Sequence, residues 1–118
     1  MMDNIKRGDI VMVDLQGAMF NEQSNERPAL VVQNNTGNKF SPTTIVIPLT
    51  SELKKIGQPT HAVIRRKDAT GLKVDSMALC EQVRTIDKRR IKFKIGKVDS
   101  DLVMTNVFKA YMASFGEI

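Results

Sequence analysis

The sequence predicts one small, mainly β domain finished by a single C-terminal helix. Through the first hundred residues, short segments rich in Val, Ile and Leu are bounded by Gly, Pro, Asn and Ser, the pattern of short strands. Near residue 100 the apolar spacing changes to that of a helix. The chain has 118 residues, which fits a single domain over 1–118. A domain of that size buries roughly two-thirds of its unfolded surface, enough for one real core.

Taken in order, the predicted strands are Asp9–Leu15, Ala29–Asn34, Thr44–Leu49, His61–Arg66, Ser76–Val83 and Phe93–Lys97. Several have continuous apolar centres, such as Ala29–Val32, which predicts strands covered on both faces. Short strands at close spacing imply a small barrel or closed sheet. The helix is predicted at about 100–115. Val103, Met104, Val107, Phe108, Tyr111, Met112 and Phe115 would share one face and pack on the sheet. Asp99 or Ser100 would cap its start, and Gly116 would end it. Two polar loops stand out, Gln16–Glu26 and Ser51–Thr60, and long loops in compact domains often carry function.

Apolar residues make up 42% and charged residues 26%, an ordinary globular balance that argues against disorder. The formal net charge of +5 favours polyanionic partners without choosing among RNA, DNA, an acidic peptide or an anionic membrane. The single cysteine, Cys80, excludes an intrachain disulfide and points to a reducing compartment. The first ten residues lack the apolar stretch of a signal peptide, and no apolar run approaches the roughly 20 residues of a membrane span. The expectation is a soluble cytoplasmic protein.

Few residues advertise chemistry alone. Arg27-Pro28 opens the second predicted strand, and the proline sets the geometry of an arginine at the strand mouth. Phosphate is the natural ligand for such a guanidinium, though an ordinary surface salt bridge is its commoner use. Thr50 and Ser51 end the third strand, where hydroxyls either donate to an oxyanion or cap a turn. His61 is the only histidine, and the sequence identifies no partner for it. A structural or exposed role is commoner than acid–base work for a lone histidine. Arg84–Lys97 holds seven Lys/Arg and one Asp. That segment is either a polyanion-binding strip, with Lys92 and Lys94 on one strand face, or a solvated edge. Cys80 reads as a small buried residue. No Cys/His cluster, phosphate-binding glycine loop, GxGxxG or GxSxG is present, and the scattered acids suggest no two-metal nuclease.

Four segments in register extend this reading. Lys6-Arg7-Gly8-Asp9-Ile10, Arg27-Pro28-Ala29-Leu30-Val31-Val32-Gln33-Asn34, Gly37-Asn38-Lys39-Phe40-Ser41-Pro42-Thr43 before a strand ending in Thr50, and Glu81-Gln82-Val83-Arg84-Thr85-Ile86-Asp87 resemble the MazF/PemK family of toxin endoribonucleases, in order and spacing along nearly the whole chain. The resemblance implies a small SH3-like β-barrel of the CcdB/Kid type with a C-terminal α-helix, assembled as a homodimer. It implies cleavage of single-stranded mRNA at a short sequence without metal or other cofactor. The 2′-hydroxyl would attack the adjacent phosphorus, giving a 2′,3′-cyclic phosphate and a 5′-hydroxyl. It also implies a cognate MazE-like antitoxin whose acidic tail occupies the RNA groove.

By position, Arg27 and Thr50 match the family's catalytic pair. Arg27 would supply charge and Thr50 a hydroxyl donor to the developing oxyanion. Guanidinium stays protonated, so Arg27 is an electrostatic group rather than a base. Glu22 and Gln23 in the first long loop, with Gln82 and Arg84 in the last motif, would contact RNA.

The chain departs from part of the family. Leu79 and Glu81 stand where some PemK-branch members have an arginine and an aspartate, so that branch's acid–base scheme does not carry over whole. Val83 replaces its proline, and Asn21 stands where several relatives have serine. Two rival readings share the fold: a barrel that binds RNA without cutting it, and a CcdB-type gyrase poison. The second is disfavoured because such proteins use a tryptophan near the C-terminus and this chain has none.

Overall fold

A computed structural model describes residues 4–15, 26–54 and 56–116. Among the described residues, eight strands and two α-helices run in the order β1 Asp9–Asp14, β2 Glu26–Val31, α1 Asn35–Phe40, β3 Thr43–Thr50, β4 His61–Ile64, β5 Ala69–Thr70, β6 Ser76–Leu79, β7 Arg84–Asp87, β8 Ile91–Val98 and α2 Asp101–Ala113. The sheet order is β4-β6-β3-β2-β1-β8-β5, with β7 also on β3. All pairings are antiparallel, and the sheet curls into a nearly closed barrel.

The continuous apolar runs are explained by two cores on opposite faces of one sheet. Ile10, Leu30, Ile47 and Leu49 point inward with Ile64, Cys80 and the α2 residues Val103, Met104 and Val107. Their neighbours Val11, Ala29, Val31 and Val46 point the other way, onto Ile5, Leu15, Ile86 and Ile91. Strand alternation therefore buries Ala29, Leu30 and Val31 on alternate faces and leaves Val32, at the end of the predicted run, half-buried. Curvature comes from β8. Its register against β1 shifts twice, between Ile10 and Val11 and between Met12 and Val13, and such bulges bend and twist a strand.

β3 serves three partners. It pairs β2 along its centre, β7 with its first half and β6 with its last two residues. The predicted Ser76–Val83 strand is accordingly broken. It ends at Leu79, and a 3₁₀ turn at Cys80–Gln82 carries the chain between the two pairing sites. The second strand starts earlier than predicted, at Glu26, so Arg27 lies within it opposite Val13.

Helix α1 is absent from the sequence reading because it has only one and a half turns and no apolar stripe. The Asn34 side chain caps it by accepting from the Gly37 amide at 2.8 Å. Buried Asn38 anchors it: its Oδ1 accepts from Thr44 Oγ1 at 2.7 Å and Gln33 Nε2 at 3.1 Å, and its Nδ2 donates to the Gln33 carbonyl at 2.8 Å. Two motif segments thus have structural work. Gly37–Thr43 builds this anchored helix. Lys6–Asp9 forms a turn in which buried Asp9 accepts from the Lys6 amide at 2.9 Å and faces the Lys94 ammonium at 3.2 Å, a charge contact without hydrogen-bond alignment.

α2 starts at its expected cap, Ser100, whose hydroxyl accepts from the Val103 amide at 3.2 Å. Its predicted stripe is only half buried. Val103, Met104, Val107 and Ala110 face the barrel, whereas Phe108 is 58% and Phe115 61% exposed. At about 100° per residue, Phe108 sits a quarter-turn beyond Val107, and Phe115 falls on the same flank. β4 and the Cys80–Gln82 turn are the main elements packed under the helix, and the flank of Phe108 and Phe115 stays exposed.

Candidate active site

Arg27 and Thr50 come from different strands and meet at one cavity of about 360 Å³. β2 and β3 are adjacent, so the barrel brings the start of one beside the end of the other. The turn Gly71–Val74 forms the opposite wall, with Phe93 and Ile95 of β8. Both Arg27 and Thr50 are half-buried. The Thr50 hydroxyl oxygen accepts from the Glu52 amide at 3.1 Å. A hydroxyl has one proton and two lone pairs, so this bond turns the oxygen and leaves the proton to donate. The cavity therefore offers a permanent cation and an oriented hydroxyl donor, the groups that stabilise negative charge on non-bridging phosphate oxygens.

Thr50 also lines a second cavity of about 220 Å³, whose walls include His61, Met77, Leu79, Glu81 and Gln82. His61 acquires here the partner that the sequence does not reveal. Its Nε2 lies 3.2 Å from Glu81 Oε2, and the imidazole is 5% exposed against 37% for the Glu81 side chain. An N–H at Nε2 would donate to this carboxylate oxygen. Gln58 Nε2, at 3.5 Å from the same nitrogen, is the weaker neighbour. In the sequence Glu81 opens one of the resembling segments and departs from one branch of the family, with no sign of a partner; its pairing with His61 depends on β4 and β6 being neighbours, with His61 opposite Leu79.

The other predicted residues divide. Gln82 lines the second cavity beside Thr50. Arg84 lies on β7 opposite Val46 and lines neither cavity. Glu22 and Gln23 lie outside the described residues.

The basic segment is largely held within the fold. Lys88 donates to the Asn38 carbonyl. Arg89 pairs with Asp87 at 2.9 Å and holds that carboxyl down at a pKa of about 2, through its side-chain and backbone donors. Arg90 donates to the Asp14 carbonyl at 3.2 Å, Lys92 pairs with Glu26 at 3.6 Å, and Lys94 faces Asp9. Five of the seven cations thus have intrachain partners, which favours the solvated-edge reading over a dedicated polyanion strip. Cys80 is buried, and desolvation, with the Glu81 charge second, pushes its thiol up to about 12. A thiol that stays protonated is no nucleophile. Among the described residues, no group of three or more His, Cys, Asp or Glu is placed to hold a metal ion, and no helix is long and apolar enough to cross a membrane.

Comparison with known proteins gives a consistent result. Residues 6–113 match the family described as PemK-like, MazF-like toxin of type II toxin–antitoxin system. The chain is 44% identical over 99 residues to Endoribonuclease EndoA of Bacillus subtilis (strain 168), covering 84% of each protein. In structure it is similar to MazF (Form-I) from Deinococcus radiodurans, with a TM-score of 0.78 at 23% identity over 95% of this chain and 96% of that one. It is also similar to an endoribonuclease in complex with its cognate antitoxin from Mycobacterial species, with a TM-score of 0.73 at 20% identity over 99% and 98% of the two chains.

Proposed function

The chain belongs to the family of PemK-like, MazF-like toxins of type II toxin–antitoxin systems and is an endoribonuclease, and from this membership we propose that it cuts single-stranded RNA at the cavity shared by Arg27 and Thr50. In the proposed reaction the 2′-hydroxyl loses its proton and its oxygen bonds to the adjacent phosphorus. The P–O5′ bond breaks, and the departing oxygen takes up a proton. The products are a 2′,3′-cyclic phosphate and a 5′-hydroxyl. Charge builds on the non-bridging oxygens, which Arg27 and the Thr50 hydroxyl would bind. No metal is required in this scheme, because guanidinium and hydroxyl supply the stabilisation. The observation that carries it is the meeting of these two side chains in one cavity.

The decisive assay is cleavage of a long single-stranded RNA by purified protein in excess EDTA, with the cut ends mapped. Discrete cuts bearing cyclic-phosphate and 5′-hydroxyl ends are expected. Folded protein that is free of any inhibitory partner and leaves the RNA intact would favour the non-cutting barrel instead.

The partner implied by family membership is a cognate antitoxin. Placement in the cytoplasm, where mRNA is found, is part of the same proposal and agrees with the single buried cysteine. The homodimer is a further part, supported by the exposed flank of α2. Phe108 borders a groove of about 460 Å³ with Val107, Tyr111, Ile45 and Ile47, and Phe115 continues the apolar surface. Contiguous apolar surface of this kind marks an interface. Sedimentation at micromolar concentration is expected to give a dimer for the wild type and a monomer for Phe108→Glu. A wild type that sediments only as monomer would remove this part.

A further inference from the structure

Positive charge collects just beyond one wall of the Arg27–Thr50 cavity. Residues 65–75 carry four cations, Arg65, Arg66, Lys67 and Lys73, against two acids, Asp68 and Asp75. All four cations are exposed. Most cations of Arg84–Lys97 have an intrachain partner of their own, whereas here two arginines share one carboxylate. Asp75 accepts from the Arg65 guanidinium at 3.3 Å and from the Arg66 amide at 2.9 Å, and Arg66 Nε lies 4.0 Å from it. Lys67 and Lys73 form no ion pair among the described residues.

The cluster has a shape and a place. Arg65, Arg66, Lys67, Leu72 and Asp75 line a depression of about 620 Å³. Leu72 also lines the Arg27–Thr50 cavity, where Lys73 stands beside it, so the two spaces adjoin across the Gly71–Val74 turn. Strand register gives the span. Thr50 pairs Met77, and Ile64, just before Arg65, pairs Ser76. Two strand spacings and two residues thus separate Thr50 from Arg65, roughly 12 Å across the sheet. A few linked nucleotides cover that distance.

Charge alone fits any polyanion, and continuity with the cavity favours RNA. A strand whose scissile phosphate sits at Thr50 carries another phosphate at every further nucleotide, and the strand must leave the cavity past one of its walls. The arginines are prepared for such a ligand. A guanidinium has five N–H donors, so the bond to Asp75 fixes Arg65 and leaves most of its donors for phosphate oxygens. The Arg66 amide first, and the Arg65 side chain after it, hold the Asp75 carboxyl below its usual range, so it stays ionised as their anchor.

We propose that Arg65, Arg66 and Lys67, with Lys73 at the divide, form an accessory site for the sugar–phosphate backbone of RNA flanking the cut. The inference rests on the RNA-cutting reading of the Arg27–Thr50 cavity and adds a backbone grip outside it. This site reads no base. It holds long RNA and takes no part in the chemical step, so it acts on KM rather than kcat.

The test variant is Arg66→Gln with Lys67→Gln, two exposed side chains outside the cavity walls. The probes are random-sequence RNAs with 2′-fluoro riboses, which lack the nucleophile, of about 4 and about 16 nucleotides, the range of single-strand site sizes. Binding is followed through a salt titration. On the long probe, the slope of log affinity against log salt is expected to become shallower by about 1.4, two phosphate contacts at ~0.7 each. The short probe should bind both proteins alike. On a long cleavable RNA at low salt, KM should rise by at least about fivefold with kcat unchanged. Arg66→Lys with Lys67→Arg, which keeps the charges, should behave as the wild type. Lys39→Gln with Lys109→Gln removes the same charge elsewhere and should leave the slope unchanged. An equal loss in that control, or an unchanged slope in the Arg66/Lys67 variant, would overturn the proposal. So would a variant that loses affinity for polyglutamate and keeps it for RNA, which would make the cluster a site for acidic peptide. A wild type that cuts no RNA, with the slope still lost in the variant, would uphold the backbone grip and instead remove the cleavage reading.

Discussion

Arg27→Ala is expected to slow RNA cleavage by at least about 10²-fold while leaving the fold intact. Removing one preorganised oxyanion donor costs 10²–10³ in rate, or about 2.7–4 kcal/mol. Arg27 should sit at or above the low end, because its donors carry a full charge and its side chain is half-buried in a cavity with Phe93 and Leu49. Apolar walls strengthen such electrostatic interactions relative to water. Stability should change little, because the two cores contain no part of the guanidinium. The measurement is single-turnover cleavage of one mapped site, with circular dichroism as the control for folding. A variant that cuts as fast as the wild type would exclude Arg27 from the reaction. Thr50→Ala in the same assay separates enzyme from binder: an enzyme loses cleavage and can keep RNA affinity, whereas a binding barrel has no cleavage to lose.

Gly96→Ala should be the most disruptive single-methyl change outside the reacting groups. A Cβ at Gly96 would lie 1.7 Å from the Thr70 carbonyl oxygen and 2.7 Å from its carbon. The obstacle is backbone, so no rotamer change can relieve it. The approach is close from the other side as well. Gly71 has φ of +75°, and a Cβ there would lie 2.1 Å from the Ile95 carbonyl oxygen. Two glycines thus let β5 lie against the bulged β8, and the turn that follows β5 forms a wall of the Arg27–Thr50 cavity. Pushing the strands apart should cost about 1–3 kcal/mol. At roughly 4–8 °C per kcal/mol for a small domain, the melting temperature should fall by about 4–24 °C. Cleavage should fall with it even at temperatures where the variant is folded, because the cavity wall moves. Gly57→Ala is the comparison: its φ is +96° but nothing lies within 4 Å of the added Cβ, so it isolates backbone strain and should cost less. If the two variants melt alike, close packing of β5 on β8 is not what requires Gly96.

How much of this was legible beforehand depends on the range of the interaction involved. Sequence spacing reports what neighbours along the chain do together. It predicts that Ala29–Val32 is covered on both faces, and Ala29, Leu30 and Val31 are buried while Val32 is half-buried, because alternation and continuous apolarity are local properties. It also narrows the cap of α2 to Asp99 or Ser100, and Ser100 is the cap, since a cap acts over three residues. The four segments in register were enough to identify the family, because a shared spacing is itself written in the chain.

Only the tertiary structure decided which residues meet. Arg27 and Thr50 share a cavity because β2 lies beside β3, and His61 finds Glu81 because β4 lies beside β6. The periodicity of α2 marked Phe108 as core, but a helix buries only the arc its neighbours reach, and that arc stops short of Phe108. The Arg84–Lys97 charges read as a possible anion strip until Asp9, Asp14, Glu26 and Asn38 were brought up to them from distant parts of the chain. Local pattern determined the elements of this protein. Strand adjacency, which depends on pairing between segments far apart in sequence, determined its cavities and the partners of its charges.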